Sequence, residues 1–198
     1  MIRRRRPTSL LADQRGAYIL EFALLSPVFL AMILGFVDFS YWAYMKATTT
    51  GALERVARSA GVGGPSVDPT TFEIPVQNLV KTIAKDSTFT WTKKSYFNFS
   101  GVGKPEKLTS DKNNNGQYDL GDCWEDSVEN GNYDTAQGTT GIGGADDIVY
   151  YTVKVDFQPL IPLGGFFPFL PAGRSVSAST MIKRQPFAAQ DTPQVVCK

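Results

Sequence analysis

Residues 111–122 carry oxygen-bearing side chains at the spacing of a calcium-binding loop. Positions one, three, five, seven, nine and twelve of such a loop supply ligands, and a glycine at position six allows the sharp turn. Gly116 stands at position six. The candidate ligands are Asp111, Asn113, Asn115, the backbone carbonyl of Gln117, Asp119 and Asp122. The pattern predicts one structural calcium ion, bound with a Kd of about 0.1–1 mM as in extracellular modules. The alternative is an Asx-rich turn that holds no ion.

A second copy of the loop's central motif follows, since residues 130–134 (NGNYD) repeat residues 115–119 (NGQYD). Counted from Asp126, this copy has Val128 at position three and Gln137 at position twelve. An apolar side chain and an amide therefore stand where a calcium loop needs anionic or short polar ligands. We interpret residues 126–137 as a degraded copy and assign no ion to it.

Both copies lie in an acidic insert, residues 106–147, where Lys112 is the only base from residue 111 onward. Such an imbalance favours a bound cation over a solvated surface. The adjacent acids Glu125 and Asp126 could form a hydrolytic pair, but neighbouring side chains of an extended segment point apart. The sequence has no histidine, which excludes Ser-His-Asp and Cys-His triads and most zinc sites. We predict that the protein is not an enzyme, and its net charge of +1 gives no reason to expect nucleic acid.

The chain has two cysteines, Cys123 and Cys197. If the bulk of the protein lies outside the cytoplasm, they are expected to form one disulfide. The alternative is a pair of buried free thiols.

A further acid, Glu21, lies near the start of a long apolar stretch that has no charged residue from Phe22 to Val37. At about 1.5 Å per residue, a helix of roughly 20 to 25 such residues crosses a membrane. The arginines of the leader, residues 1–16, place the N-terminus in the cytoplasm. A secretory signal peptide is disfavoured, because the run is long and no convincing small-x-small site follows it. A plain anchor leaves Glu21 unexplained, since a carboxylate at the centre of a span costs about 2.5–3.5 kcal/mol.

Gly16 followed by residues 17–22 (AYILEF) resembles the prepilin processing site of type IV pilin-like proteins. The resemblance implies that a prepilin peptidase cuts after Gly16 and that Ala17 becomes the new N-terminus. Glu21 is then the fifth residue of the mature chain, followed by Phe22. In a helical bundle, its carboxylate can pair with the α-ammonium of a neighbouring subunit and favour one axial register.

The residues that follow are similar to those of the TadE/TadG-like minor pilins of the Tad (Flp-type) pilus. The similar segments are Glu21 to Leu24, Pro27, Gly35, Asp38-Phe39, residues 46–60, residues 177–182 and residues 185–187. The resemblance implies a structural protein of the bacterial inner membrane, needed for assembly or tip initiation of a pilus that attaches cells to surfaces. It also implies the partners: prepilin peptidase, other Tad pilins and the assembly platform. The alternative is a single-pass envelope protein with a calcium-stabilised binding module.

The sequence predicts an α+β fold around these residues. Apolar residues predict a long helix over residues 17–60, which spans the membrane to about residue 44, and a short helix over 72–86. Alternation predicts strands within 89–100, 147–157 and 174–183, in an antiparallel sheet packed on the long helix. Residues 61–198 would then be a periplasmic or extracellular domain. Its apolar segment 159–173 is either a hairpin connection that covers the core or a contact with the membrane or a neighbouring subunit through Phe166, Phe167 and Phe169.

Overall fold

The structure, a computed structural model, describes residues 16–62, 69–161, 173–186 and 188–198. Its first element is α1, Ala17–Val62, which continues through Pro27 without a break. Within the described residues α1 is the one helix long and apolar enough to cross a membrane, and its apolar window is entirely unburied. The predicted helix over residues 17–60 is therefore confirmed.

In the described part of the chain, the remaining elements are one helix, a single 3-10 turn and seven strands. They are α2 (Pro69–Lys81), β1 (Thr88–Tyr96), the 3-10 turn Phe99–Gly101, β2 (Leu108–Ser110), β3 (Cys123–Asp126), β4 (Thr139–Thr140), β5 (Ile148–Phe157), β6 (Arg174–Lys183) and β7 (Gln194–Cys197). The strands form two antiparallel sheets. Sheet A has the order β4-β1-β5-β6, and sheet B has the order β2-β3-β7.

Sheet A packs on α1, as the sequence predicts, and also on α2. In β5 every second residue is buried: Val149, Tyr151, Val153, Val155 and Phe157. From α1, the side chains of Met45, Ala52 and Leu53 meet this face in one hydrophobic core. From α2, Phe72 stacks on Tyr151 with ring centroids 4.3 Å apart. The α+β arrangement of a long helix on an antiparallel sheet is confirmed.

Sheet A has two ends that matter for the site. At the end that we call the near end, Thr88 of β1, Asp156 of β5 and Ser175 of β6 are neighbours. At the opposite, far end, Tyr96 and Lys183 flank Ile148. Strands of nine and ten residues separate the two ends by about 30 Å.

Several boundaries differ from the sequence prediction. Helix α2 begins three residues earlier and ends five residues earlier than predicted. At its end, Ile83 already donates its N–H to the Val80 carbonyl in a tighter turn. Strand β1 ends at Tyr96, and the Asn98 side chain caps a 3-10 turn by accepting the Gly101 N–H at 3.0 Å. Sheet B was not predicted. Phe166, Phe167 and Phe169 of the apolar segment lie outside the described residues.

Candidate functional site

The first candidate site is the start of α1. Gly16 precedes the first helical residue, Ala17, and among the described residues nothing beyond its own stretch of chain lies within 4 Å of where a Cβ on Gly16 would be. Glu21 is exposed, and the side chain of Phe22 is 72% exposed. Among the described residues the Glu21 carboxylate has no ion-pair partner. Gly16 and the helical residues Ala17, Glu21 and Phe22 are therefore all exposed and available to other molecules.

Asp38 is the first charged residue after the apolar stretch, and the structure buries it. Its side chain pairs with Arg174 of β6, whose Nη2 lies 2.7 Å and whose Nε lies 3.2 Å from Asp38 Oδ2. Beside this pair, the Trp42 Nε1–H donates to the Ser175 carbonyl at 3.1 Å. These contacts attach the near end of sheet A to α1 directly above the apolar stretch. Asp38 belongs to a segment that resembles the pilin family, whereas no sequence pattern predicted a role for Arg174.

The first acidic loop, residues 111–122, brings together four of the predicted ligands. The amides of Asn113 and Asn115 both donate to Asp119 Oδ2, at 2.8 and 2.7 Å. Asp111 Oδ2 accepts the backbone N–H of Gly116 at 2.7 Å. The fifth, Gln117, donates its backbone N–H to Asn115 Oδ1 at 2.7 Å.

Asp122, the predicted ligand at position twelve, has a different role in the structure. It is fully buried, and its two oxygens accept the N–H of Lys112 at 2.9 Å and of Asp119 at 2.8 Å. Because these donors lie at positions two and nine, the carboxylate clasps the two sides of the loop. Asp111 is half-buried instead, and the Gly116 N–H that it accepts holds the pKa of its carboxyl below the usual range.

The second loop, which begins at Asp126, repeats the geometry of the first. Asp126 Oδ2 accepts the Gly131 N–H at 2.7 Å, and the Asn130 amide donates to Asp134 Oδ2 at 2.7 Å. The backbone repeats as well: φ is +55° at Asn114 and +57° at Glu129, both at position four. At position six, φ is +74° at Gly116 and +68° at Gly131. The two loops are therefore structural copies, despite the substitutions in the second.

Glu106 completes the second loop, which has Gln137 at position twelve. Its Oε1 accepts the Ser127 N–H at 2.7 Å, and its Oε2 accepts the Asp134 N–H at 3.0 Å. Ser127 and Asp134 are positions two and nine, so Glu106 clasps the second loop as Asp122 clasps the first. Only 2% of Glu106 is exposed, and this burial raises the pKa of its carboxyl. The calcium-loop pattern does not point to Glu106, because Glu106 precedes the second loop instead of lying within it.

An aromatic cluster joins the two loops. Tyr118 and Tyr133, at position eight of each copy, stack with ring centroids 4.5 Å apart. Both meet the fully buried Trp124 edge to face, at 5.2 and 6.1 Å. The loops therefore form one unit, which we call the paired loops.

The C-terminal segment, with strand β7 and Lys198, is bonded to the paired loops. Cys123 and Cys197 lie opposite each other in the β3–β7 ladder and are joined by a disulfide, with Cα atoms 4.1 Å apart. The Lys198 carbonyl accepts the Gly121 N–H at 2.5 Å, and its ammonium donates to the Gly131 carbonyl. The C-terminal residues 194–198 thus contact both loops.

The fit of the first loop to calcium is partial. Among the residues that the structure describes, no three acidic or cysteine side chains converge as a metal-binding group. Asp111, Asn113, Asn115 and Asp119 offer oxygen atoms of the kind that calcium binds, whereas Asp122 is occupied by backbone N–H groups. Any ion would therefore be held by the first nine positions.

A family model described as TadE-like protein matches residues 16–58. The matched range includes Gly16, Ala17, Glu21 and Asp38, and it covers most of α1 but neither sheet. The match indicates a protein associated with the Tad pilus and with a membrane. No curated protein and no solved structure matches the chain.

Proposed function

Taking α1 to be the helix of a TadE-like, Tad pilus-associated protein, we propose that the chain is a minor pilin or pseudopilin. It would act as a structural component in the assembly or tip initiation of a Tad-type pilus. The supporting observation is the division of α1: its apolar half has no cover within the described chain, and its second half packs on the domain. A helix of this kind can lie in a bilayer before assembly and against other helices afterwards.

The proposed processing site is the bond between Gly16 and Ala17. Cleavage there releases the arginine-rich leader and leaves an α-ammonium four residues before Glu21. In a setting of low dielectric constant, an isolated carboxylate is costly and a paired one is tolerated. We propose that the ammonium of a neighbouring subunit supplies this pair, with the leader cytoplasmic and the domain periplasmic before assembly.

Incubating the membrane-inserted full chain with prepilin peptidase tests this proposal. N-terminal sequencing is expected to show a chain that begins at Ala17. Gly16→Leu is expected to remain uncut, whereas Glu21→Ala is expected to be cut and to fail in pilus production. An uncut wild-type chain would instead favour a single-pass envelope protein.

We also propose that the first loop binds one calcium ion, through oxygens of Asp111, Asn113, Asn115 and Asp119. Calcium at about ten times its Kd is expected to raise the free energy of unfolding by about 1.4 kcal/mol. Titration calorimetry measures calcium binding to wild type and to Asp119→Asn, and denaturant unfolding with and without calcium measures the change in stability. Asp134→Asn, at the same position of the second loop, is the matched control. The absence of calcium binding by wild type up to about 10 mM, well above the range of weak extracellular modules, would show that the loop is an ion-free turn.

A further inference from the structure

The near end of sheet A lies close to the point where the apolar stretch of α1 ends. Asp38, which directly follows Val37, bonds to Arg174 at the start of β6. Tyr41, within one helical turn of Asp38, meets Phe157 at the end of β5 edge to face, at 5.7 Å. If α1 spans a bilayer up to Val37, this end of the domain is therefore at the membrane surface.

Exposed apolar side chains lie at this end. Leu160 follows β5 by three residues and lies within about 10 Å of Phe157, and its side chain is 59% exposed. Phe39, on α1 beside Asp38, is 63% exposed. The chain returns at Gly173, where an added Cβ would lie 3.9 Å from the Phe157 carbonyl oxygen. Residues 162–172, which lie outside the described part, include no charged residue.

The described charges near this end form two ion pairs, and the exposed Asp86 also lies there. Arg174 pairs with Asp38, and Lys154 pairs with Asp156 at 2.9 Å. An anionic lipid would gain little from such a surface, because attraction to anionic lipids needs a cluster of unpaired Lys or Arg. The apolar side chains favour a contact with the bilayer interface that is insensitive to salt.

We propose that the near end of sheet A is a membrane-contacting surface, with Leu160 in the headgroup region of the bilayer that α1 spans. This inference rests on the proposed function in one respect, the spanning of a bilayer by α1. It adds that the domain sits directly on the lipid, so that the far end and the paired loops point away from it. The contact would fix the tilt of the domain relative to the membrane.

Single-cysteine labelling of the full chain tests the contact, with the native disulfide retained. A fluorescent probe is placed by Leu160→Cys, by Val195→Cys or by Leu24→Cys, in phosphatidylcholine bilayers. Val195 is the matched control, because it is also 59% exposed but lies in sheet B. Sheet B is beside the far end, since Ser127 and Pro193, which adjoin its strands, line one pocket with Tyr96. Quenching by lipids with a shallow spin label, by lipids with a deep spin label, and by aqueous iodide is then compared. Gln158→Cys provides a second position at the near end.

We expect the probes at 24, 158 and 160 to be quenched by lipid several-fold more than the probe at 195, with iodide giving the reverse order. High salt should leave the pattern unchanged. If the probes at positions 160 and 158 are quenched like the probe at 195 while the probe at 24 is quenched by lipid, the proposed surface contact is wrong. The proposal that α1 spans the bilayer is then unaffected. If 24 is not quenched by lipid, the spanning helix itself is wrong. Protection of 160 from both quenchers would indicate cover by protein and would also overturn the contact.

Discussion

Glu106 is the residue on which the second loop depends. It is buried, it accepts three backbone N–H groups, and Asp126 beside it is also buried. Glu106→Gln places an amide N–H₂ against donors that need an acceptor, so we expect the free energy of unfolding to fall by about 1–3 kcal/mol. Glu125→Gln is the control, because it disturbs only the exposed pair with Lys107 and should cost less than about 1 kcal/mol. Denaturant unfolding measures both, and equal effects would show that Glu106 is not a clasp.

The same residue gives the expected pH dependence. Burial, followed by the nearby Asp126 charge, raises the pKa of Glu106 above its ordinary value of 4.5. The folded state therefore binds more protons than the unfolded state in the pH range above that value, and this contribution to stability is lost as pH rises through it. Asp111 has a lowered pKa and the opposite sign, since its contribution is lost as pH falls. Carboxyl NMR titration should place Glu106 above and Asp111 below the ordinary values; the reverse order would contradict the burial argument.

At the scale of elements, the Asp38–Arg174 pair holds α1 against β6. Its side chains are 7% and 21% exposed, so each charge depends on the other. A double-mutant cycle of Asp38→Leu and Arg174→Leu is expected to give a coupling energy of about 1–3 kcal/mol. The exposed Lys154–Asp156 pair is the matched control and should give about 0–1 kcal/mol. Equal coupling energies would show that the buried pair does not hold the two elements together.

The turn of each acidic loop requires a glycine. Gly116 has φ of +74°, and a residue with a Cβ is strained there, so Gly116→Ala should destabilise the protein by about 1–2 kcal/mol. Gly51→Ala is the control: Gly51 is inside α1 with no atom within 4 Å of an added Cβ, so alanine should stabilise the helix by about 0.5–1 kcal/mol. Thermal unfolding measures both changes. A neutral Gly116→Ala would mean that the loop adopts another turn.

These elements differ in how far the sequence predicts them. Helix α1 and strands β5 and β6 carry strong periodic patterns, and their predicted bounds agree with the structure to within two residues. Sheet B has strands of three or four residues, too short for a pattern. The Asp38–Arg174 bond joins residues 136 positions apart, and Glu106 acts on residues 21 to 28 positions away. Pairings of this kind depend on the tertiary fold and have no local signature.

For the whole molecule, the Cys123–Cys197 disulfide closes a long loop of chain. The two cysteines are 74 positions apart, and closing a loop of that length is expected to contribute about 2–4 kcal/mol. Cys123→Ser with Cys197→Ser should lower the stability by that amount and loosen the paired loops before sheet A. Hydrogen exchange of both regions measures this, and mass spectrometry with alkylation before and after reduction checks the bond. Alkylation of both native thiols without reduction would contradict it.

Strand β7 has a consequence for how the protein is made. It completes sheet B, it supplies one half of the disulfide, and Lys198 contacts both Gly121 and Gly131. A ribosome delivers α1 first, so the helix can enter the bilayer while most of the domain is still unsynthesised. Sheet B and the disulfide cannot form until residues 194–197 have emerged. If α1 inserts as proposed, the nascent chain is held at the membrane between those two moments, before β7 joins sheet B.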